Sequence, residues 1–253
     1  MDSIDAEQAY ACLAASYDEG EGHPTSRDLA GVEEIVVLSL LRNISFHDVL
    51  DAATGTGRYA VRLAQMGKHV VGIDVSEPML AQARAKASQL GLDIEFHRAS
   101  VLAAPQADES FDLVICALAL AHVKDLAGAV RELVRVLRCG GHLIISDLHP
   151  NIQKLLGPDY TAVIRDGRLL SNMEKDAEDA RQCQQVPFPQ YHGDVNEYLE
   201  SIKAAGAEVL AAIDVPMEQR MGLLPGPLVI FARKSEHGTV EPAASADARN
   251  SRG

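Results

Sequence analysis

The chain has 253 residues, 47% of them hydrophobic and 23% charged, which is enough for one large domain with a well-buried core. A formal net charge of −13 speaks against a nucleic-acid surface, and no apolar run reaches the roughly 18 residues that a membrane-spanning helix needs. The four cysteines, Cys12, Cys116, Cys139 and Cys183, are scattered without a C-x-x-C pair, so they offer no metal framework and fit reduced thiols. The N-terminal MDSIDAEQAY has no cationic region before an apolar stretch, and a cytoplasmic protein is expected.

Taken in chain order, residues 1–28 hold a helical pattern and then the polar run DEGEGHPTSRD, and 29–43 read as a second helix. Apolar, strand-like runs follow at 48–52, 69–74, 94–98, 111–117, 141–147, 208–214 and 227–233. Helical patterns separate them. In 78–90, Pro78 opens the first turn, and Met79, Leu80, Ala83 and Ala87 recur at helical spacing before Gly91. In 125–138, Leu126, Val130, Leu133 and Leu137 form one stripe that Gly140-Gly141 is expected to end, and 194–205 is a further helix. Strand–helix alternation of this kind predicts a doubly wound, mostly parallel α/β sheet. Residues 149–193 break the rhythm with prolines and an Asp166-Gly167 turn, as a substrate-cap insertion would. The tail from 235 to 253 is small and polar and reads as disordered.

One stretch carries chemistry. In VLDAATGTGRYA a strand ends at Asp51, crosses Gly55-x-Gly57 and enters a helix, presenting free backbone N–H groups to an anionic group. A second acid, Asp74, closes the next strand, where it can accept from ribose hydroxyls. Both features suit a dinucleotide pyrophosphate or the carboxylate of a methionine derivative. Asp51 decides between them, because a carboxylate at the strand tip repels pyrophosphate and complements an α-ammonium group.

Residues 49–148 also resemble the class I S-adenosylmethionine-dependent methyltransferases, through the acid-tipped GTG loop, VGIDVSEPML, FDLVICALALAHV and LRCGGHLIISD in that order. The resemblance implies seven strands with the last antiparallel, S-adenosylmethionine as cofactor and S-adenosylhomocysteine as product. It places Asp51, Ala53, Gly55 and Gly57 in the methionine-binding loop, with Ala53 where the family often has glycine. It gives Asp74 the ribose diol and sets Val75 and Met79 near ribose and adenine. Ser100 takes the place of an acid at the adenine amino group, Val101 covers the other adenine face, and Cys116, Ala117 and Leu118 line the methionine part. Tyr17 matches a lid tyrosine over the cofactor. Residues 1–46 would form a helical lid on a methyltransferase domain at 47–234.

The expected acceptor is a small molecule methylated on O, N or C, as in bacterial secondary metabolism, by a monomer or homodimer. His122, His149 and His192 follow or precede the elements that should ring the acceptor, and with Tyr17 they are the candidate catalytic residues. His149 and His192 bracket the insertion and are the preferred pair. The competing readings are an NAD-dependent oxidoreductase, which lacks a Tyr-x-x-x-Lys constellation here, and a cofactor-binding cyclase or partner without methyl transfer.

Overall fold

The computed structural model describes residues 7, 10, 11, 14, 15, 17, 18, 26–150, 163–165, 168–170, 191–219 and 222–236. In chain order these form α1 (Ser26–Leu41), β1 (Asp48–Ala52), α2 (Arg58–Gln65), β2 (His69–Asp74), α3 (Glu77–Gln89), β3 (Glu95–Arg98) and β4 (Phe111–Ala117). A short 3₁₀ turn (Leu120–His122) follows, then α4 (Leu126–Val136), β5 (Leu137–Leu148), β6 (Val163–Arg165), β7 (Arg168–Leu170), α5 (Val195–Ala204), β8 (Ala207–Gln219) and β9 (Gly222–Lys234).

Seven strands make one sheet in the order β3-β2-β1-β4-β5-β9-β8. β1, β2, β3, β4 and β5 pair in parallel, and β9 runs antiparallel to both of its neighbours. The expected mostly parallel α/β sheet with its antiparallel last strand is therefore present. Period-2 alternation sends successive side chains of each strand to opposite faces. Val114 and Cys116 of β4 join Leu50 and Ile145 under α4 and α5, where Leu133 and Tyr198 pack. Leu113 and Ile115 join Val49 and Ile144 on the other face, under α1 and α2, where Val37 and Leu63 pack. Fully apolar strands read as unbroken runs because both faces are covered.

Local chemistry sets several boundaries. Asp125 caps α4 by accepting from the Gly128 N–H at 2.8 Å, and Asp194 caps α5 by accepting from Asn196 N–H at 3.0 Å. The end of α4 differs from expectation. The helix stops at Val136 and the chain enters β5 at once, so Gly140-Gly141 do not terminate a helix. Gly140 instead sits at φ 75° inside an irregularity where pairing jumps from Phe111↔Leu137 to Leu113↔His142. β6 and β7 pair antiparallel with Arg165 opposite Arg168, flanking the expected Asp166-Gly167 turn, which itself lies outside the described residues. Most of the expected cap at 149–193, most of the residues before 26, and the tail from 237 onward also lie outside them.

Part of the expected N-terminal lid packs into the core. Val37 and Leu41 of α1 are buried in the sheet's second cluster. Glu33 on the same helix is fully buried (0% exposed), accepting from Arg58 at 2.7 Å and from the Ser146 hydroxyl at 2.5 Å. α1 is thereby tied to the carboxyl ends of the strands.

Candidate active site

In an open parallel sheet the crevice opens where the strand order reverses, here between β1 and β4, beyond their carboxyl ends. A cavity of about 400 Å³ lies at that point. Its walls come from the tips of β1, β2 and β4, the loop after β3, and Tyr10, Tyr17 and Asp18.

Asp51 reaches the cavity from the tip of β1 and is 2% exposed. Its Oδ2 accepts from the Thr54 hydroxyl at 2.6 Å and from Ala60 N–H at 2.9 Å. Oδ1 accepts no hydrogen bond among the described residues. Burial pushes the carboxyl up to about 6, against the downward pull of those two bonds. Asp74 accepts from Gly55 N–H and from Ser76 N–H, both at 2.8 Å, and burial raises its pKa from the ordinary value. A carboxylate offers about four acceptor sites, so Asp74 keeps acceptor capacity for a diol. The loop between the two acids is held in left-handed backbone, with Ala53 at φ 57° and Gly55 at φ 54°.

Beyond this, the cavity is lined by Val75, Met79, Ser100, Val101, Ala117 and Leu118, all expected there. Ser100 Oγ accepts from Leu102 N–H at 3.1 Å, so its O–H is the group left to offer a ligand. Tyr17 and His122 line the cavity too. Tyr10 joins them, its ring edge-on to Tyr17 at 6.2 Å and to His122 at 5.8 Å.

Four expected site residues lie elsewhere. Gly57 sits at the N-cap of α2 with φ 84°, and a Cβ there would come within 3.0 Å of Ala83, so it serves helix packing. Cys116 points into the core beneath α4 and α5, because only every second residue of β4 shares a face. His149 is buried away from the cavity, with Nε2 3.1 Å from Asp214. His192 places Nε2 2.7 Å from the Val123 carbonyl and Nδ1 3.0 Å from Glu197, so both ring nitrogens are engaged.

Other residues at the site escaped the sequence reading. Thr56 donates to Asp18 at 2.8 Å, and Lys86 meets the same carboxylate at 2.7 Å, fastening the N-terminal segment across the cavity. Asp147, at the end of β5, is a buried carboxylate bonded to Ala121 N–H and Tyr198 O–H. The sequence signal for Asp147 was its place, since β1 and β2 also end in acids. Among the described residues no group of His, Cys, Asp or Glu is placed to hold a metal ion, and no helix is long and apolar enough to cross a membrane.

Residues 50–145 match the family model of a methyltransferase domain. They form a class I, S-adenosylmethionine-dependent methyltransferase domain. The matched segment spans β1 to β5 and contains the strand tips that wall the cavity. The chain is similar to a demethylmenaquinone methyltransferase of Thermus thermophilus, 43% identical over 114 residues, which is 44% of this chain and 52% of that protein. It is also similar to a ubiquinone biosynthesis O-methyltransferase of Alkalilimnicola ehrlichii, 32% identical over 147 residues, 56% of this chain and 59% of that protein. The chain thus spans a little over half the length of these relatives. Among solved structures, the cyclase SpnF superposes with a TM-score of 0.64 at 20% identity, over 93% of this chain and 98% of that one. That likeness speaks for the fold.

The cofactor of the methyltransferase domain is S-adenosylmethionine, and the residues present fit it. Asp51 lines the cavity with Oδ1 left over from its two hydrogen bonds, which suits an α-ammonium group. Asp74 suits a ribose diol, and Met79 with Val101 gives apolar walls for an adenine. A pyrophosphate at the glycine turn would instead face the Asp51 carboxylate.

Proposed function

We propose that the protein transfers a methyl group from S-adenosylmethionine to a small-molecule acceptor. The observation that carries this reading is Asp51, a buried residue lining the cavity whose two hydrogen bonds among the described residues both fall on Oδ2. When bound, the cofactor supplies a methyl group activated by a sulfonium. The chain's own part is positioning. Asp51 and Asp74 fix the two polar ends of the cofactor, while Ala117 and Leu118 close the wall between them. Holding an acceptor atom near the methyl carbon then supplies much of the acceleration.

The acceptor end of the cavity is formed by Tyr10, Tyr17, His122 and Val123. The relatives are named for quinone biosynthesis, which supports a small organic acceptor over a macromolecule, as does the net charge of −13. In this reading the segment before α1 and the insertion at 149–193 cover the acceptor. The protein works in the cytoplasm as a monomer or homodimer.

The test is turnover of S-adenosylmethionine with a panel of phenols, catechols, hydroquinones and amines, read as S-adenosylhomocysteine and methylated product by mass spectrometry. Methyl transfer predicts both products in equal amounts with at least one acceptor class. Tight cofactor binding with no turnover on any class would favour the binding-protein reading.

A further inference from the structure

Three hydrogen bonds converge on the residues flanking His122. The Ala121 N–H donates to Asp147 Oδ2 at 2.6 Å, and the Ala121 carbonyl accepts from Tyr191 N–H at 2.9 Å. On the other side, the Val123 carbonyl lies 2.7 Å from His192 Nε2. Short 3₁₀ turns are seldom rigid on their own account. This one is pinned by β5 from below and by the end of the insertion from the side.

Asp147 also ties β5 to α5. It is 2% exposed, and besides Ala121 it takes Tyr198 O–H at 3.1 Å and its neighbour's N–H, from Leu148, at 3.0 Å. A buried carboxylate is costly unless paired and hydrogen-bonded. Burial pushes the Asp147 carboxyl above its ordinary value, against the downward pull of the neighbouring His122 and of the bonds from Ala121, Tyr198 and Leu148. The titratable or charged groups around the His122 turn include Tyr10 and Tyr17 from the N-terminal segment, Asp147 from β5, Tyr191, His192, Glu197 and Tyr198 from the α5 side, and Lys124 and Asp125 directly after the turn.

We infer that His122 is the catalytic base toward an acidic hydroxyl of a hydroxyaromatic acceptor, and that Asp147 and His192 are its positioning residues. The inference rests on the methyl-transfer reading. In the step, the acceptor O–H bond breaks and its proton passes to a ring nitrogen of His122. The oxygen bonds the methyl carbon, and the carbon–sulfur bond breaks with its electron pair left on sulfur. An imidazole is weaker as a base than a phenolate by a few pKa units and far weaker than an alkoxide. Partial proton transfer from a phenol is therefore within reach, whereas an aliphatic hydroxyl is not. The edge-on rings of Tyr10 and Tyr17 in the same wall suit a flat aromatic body.

His192 changes role. With both nitrogens engaged it serves as a donor to the Val123 carbonyl, and a glutamine can do the same.

The experiment is absorbance titration of 4-nitrocatechol into the full-length protein saturated with S-adenosylhomocysteine, at a pH where the free probe is mostly un-ionised. Wild type should bind the probe as its phenolate. His122→Gln should lower the ionised fraction of bound probe about tenfold, and Asp147→Asn should lower it in the same direction. His192→Ala should lower it too, whereas His192→Gln should retain it. Equal ionisation in wild type and His122→Gln would overturn the base, and so would wild type that takes up cofactor product but no probe. Loss in both His192 variants would overturn the positioning role. Failure of wild type to bind S-adenosylhomocysteine would overturn methyl transfer itself, a separate result.

Discussion

Asp51 is removed from water on every side except the one facing the cavity, and its proton equilibrium records this. Folded, it titrates near 6; unfolded, an aspartate titrates near 3.9. Between those values the folded protein holds a proton that the unfolded chain has lost. Ligand-free stability contributed by Asp51 therefore falls as pH rises from about 4 to about 6, and is level above. Cofactor affinity runs the other way, because only the ionised carboxylate pairs with an ammonium. Affinity for S-adenosylhomocysteine should be about tenfold weaker at pH 5 than at pH 7.5, as calorimetry would read; a flat profile would remove Asp51 from the ammonium site. Ala53 makes a second residue-scale case. At φ 57° it occupies backbone that costs an L side chain roughly 1 kcal/mol. Ala53→Gly should raise the melting temperature by about 2 °C, after the entropy that glycine adds to the unfolded chain. A lower melting temperature would show that the methyl group contributes packing that outweighs the strain. The sequence pointed to the loop; its left-handed turn at an alanine was not legible, since alanine carries no conformational signal.

At the scale of elements, close approach explains what patterns alone leave open. β2 and β3 meet at Gly72, where a Cβ would fall 2.7 Å from the Phe96 ring and 3.2 Å from Thr54. Gly72→Ala should cost about 1–3 kcal/mol through overpacking, read as a lower denaturation midpoint with unchanged slope. No loss of stability would mean that Phe96 swings aside freely. Strand positions were legible because each apolar run is bounded by polar residues, and β1, β2 and β4 match the expected bounds residue for residue. β5 was not, because its early start depends on an irregularity at Gly140 set by the partner strand. The helix α1 shows the same limit. Glu33 looks like one more surface acid until Arg58, 25 residues away, and Ser146 are brought to it. His149 and His192 were placed at the right ends of the right elements. Their ring directions are fixed by Asp214, Glu197 and the Val123 carbonyl, and no local pattern reports such distant partners.

At the scale of the whole molecule, the sheet order puts three acid-tipped strands, β1, β2 and β5, around one crevice. Asp51 and Asp74 face it directly, Asp147 holds the turn of His122 from behind, and Asp18 crosses it from the N-terminal side. A cavity with that charge favours a cationic, amino-acid-bearing nucleoside over a dinucleotide diphosphate. The most direct test is calorimetric titration of the full-length protein with S-adenosylhomocysteine and, separately, with NAD at pH 7.5. Expected are micromolar-range binding of S-adenosylhomocysteine, weakened by about 1–3 kcal/mol in Asp74→Ala as partners are left unpaired, and no binding of NAD. Binding of NAD in place of S-adenosylhomocysteine would contradict that preference.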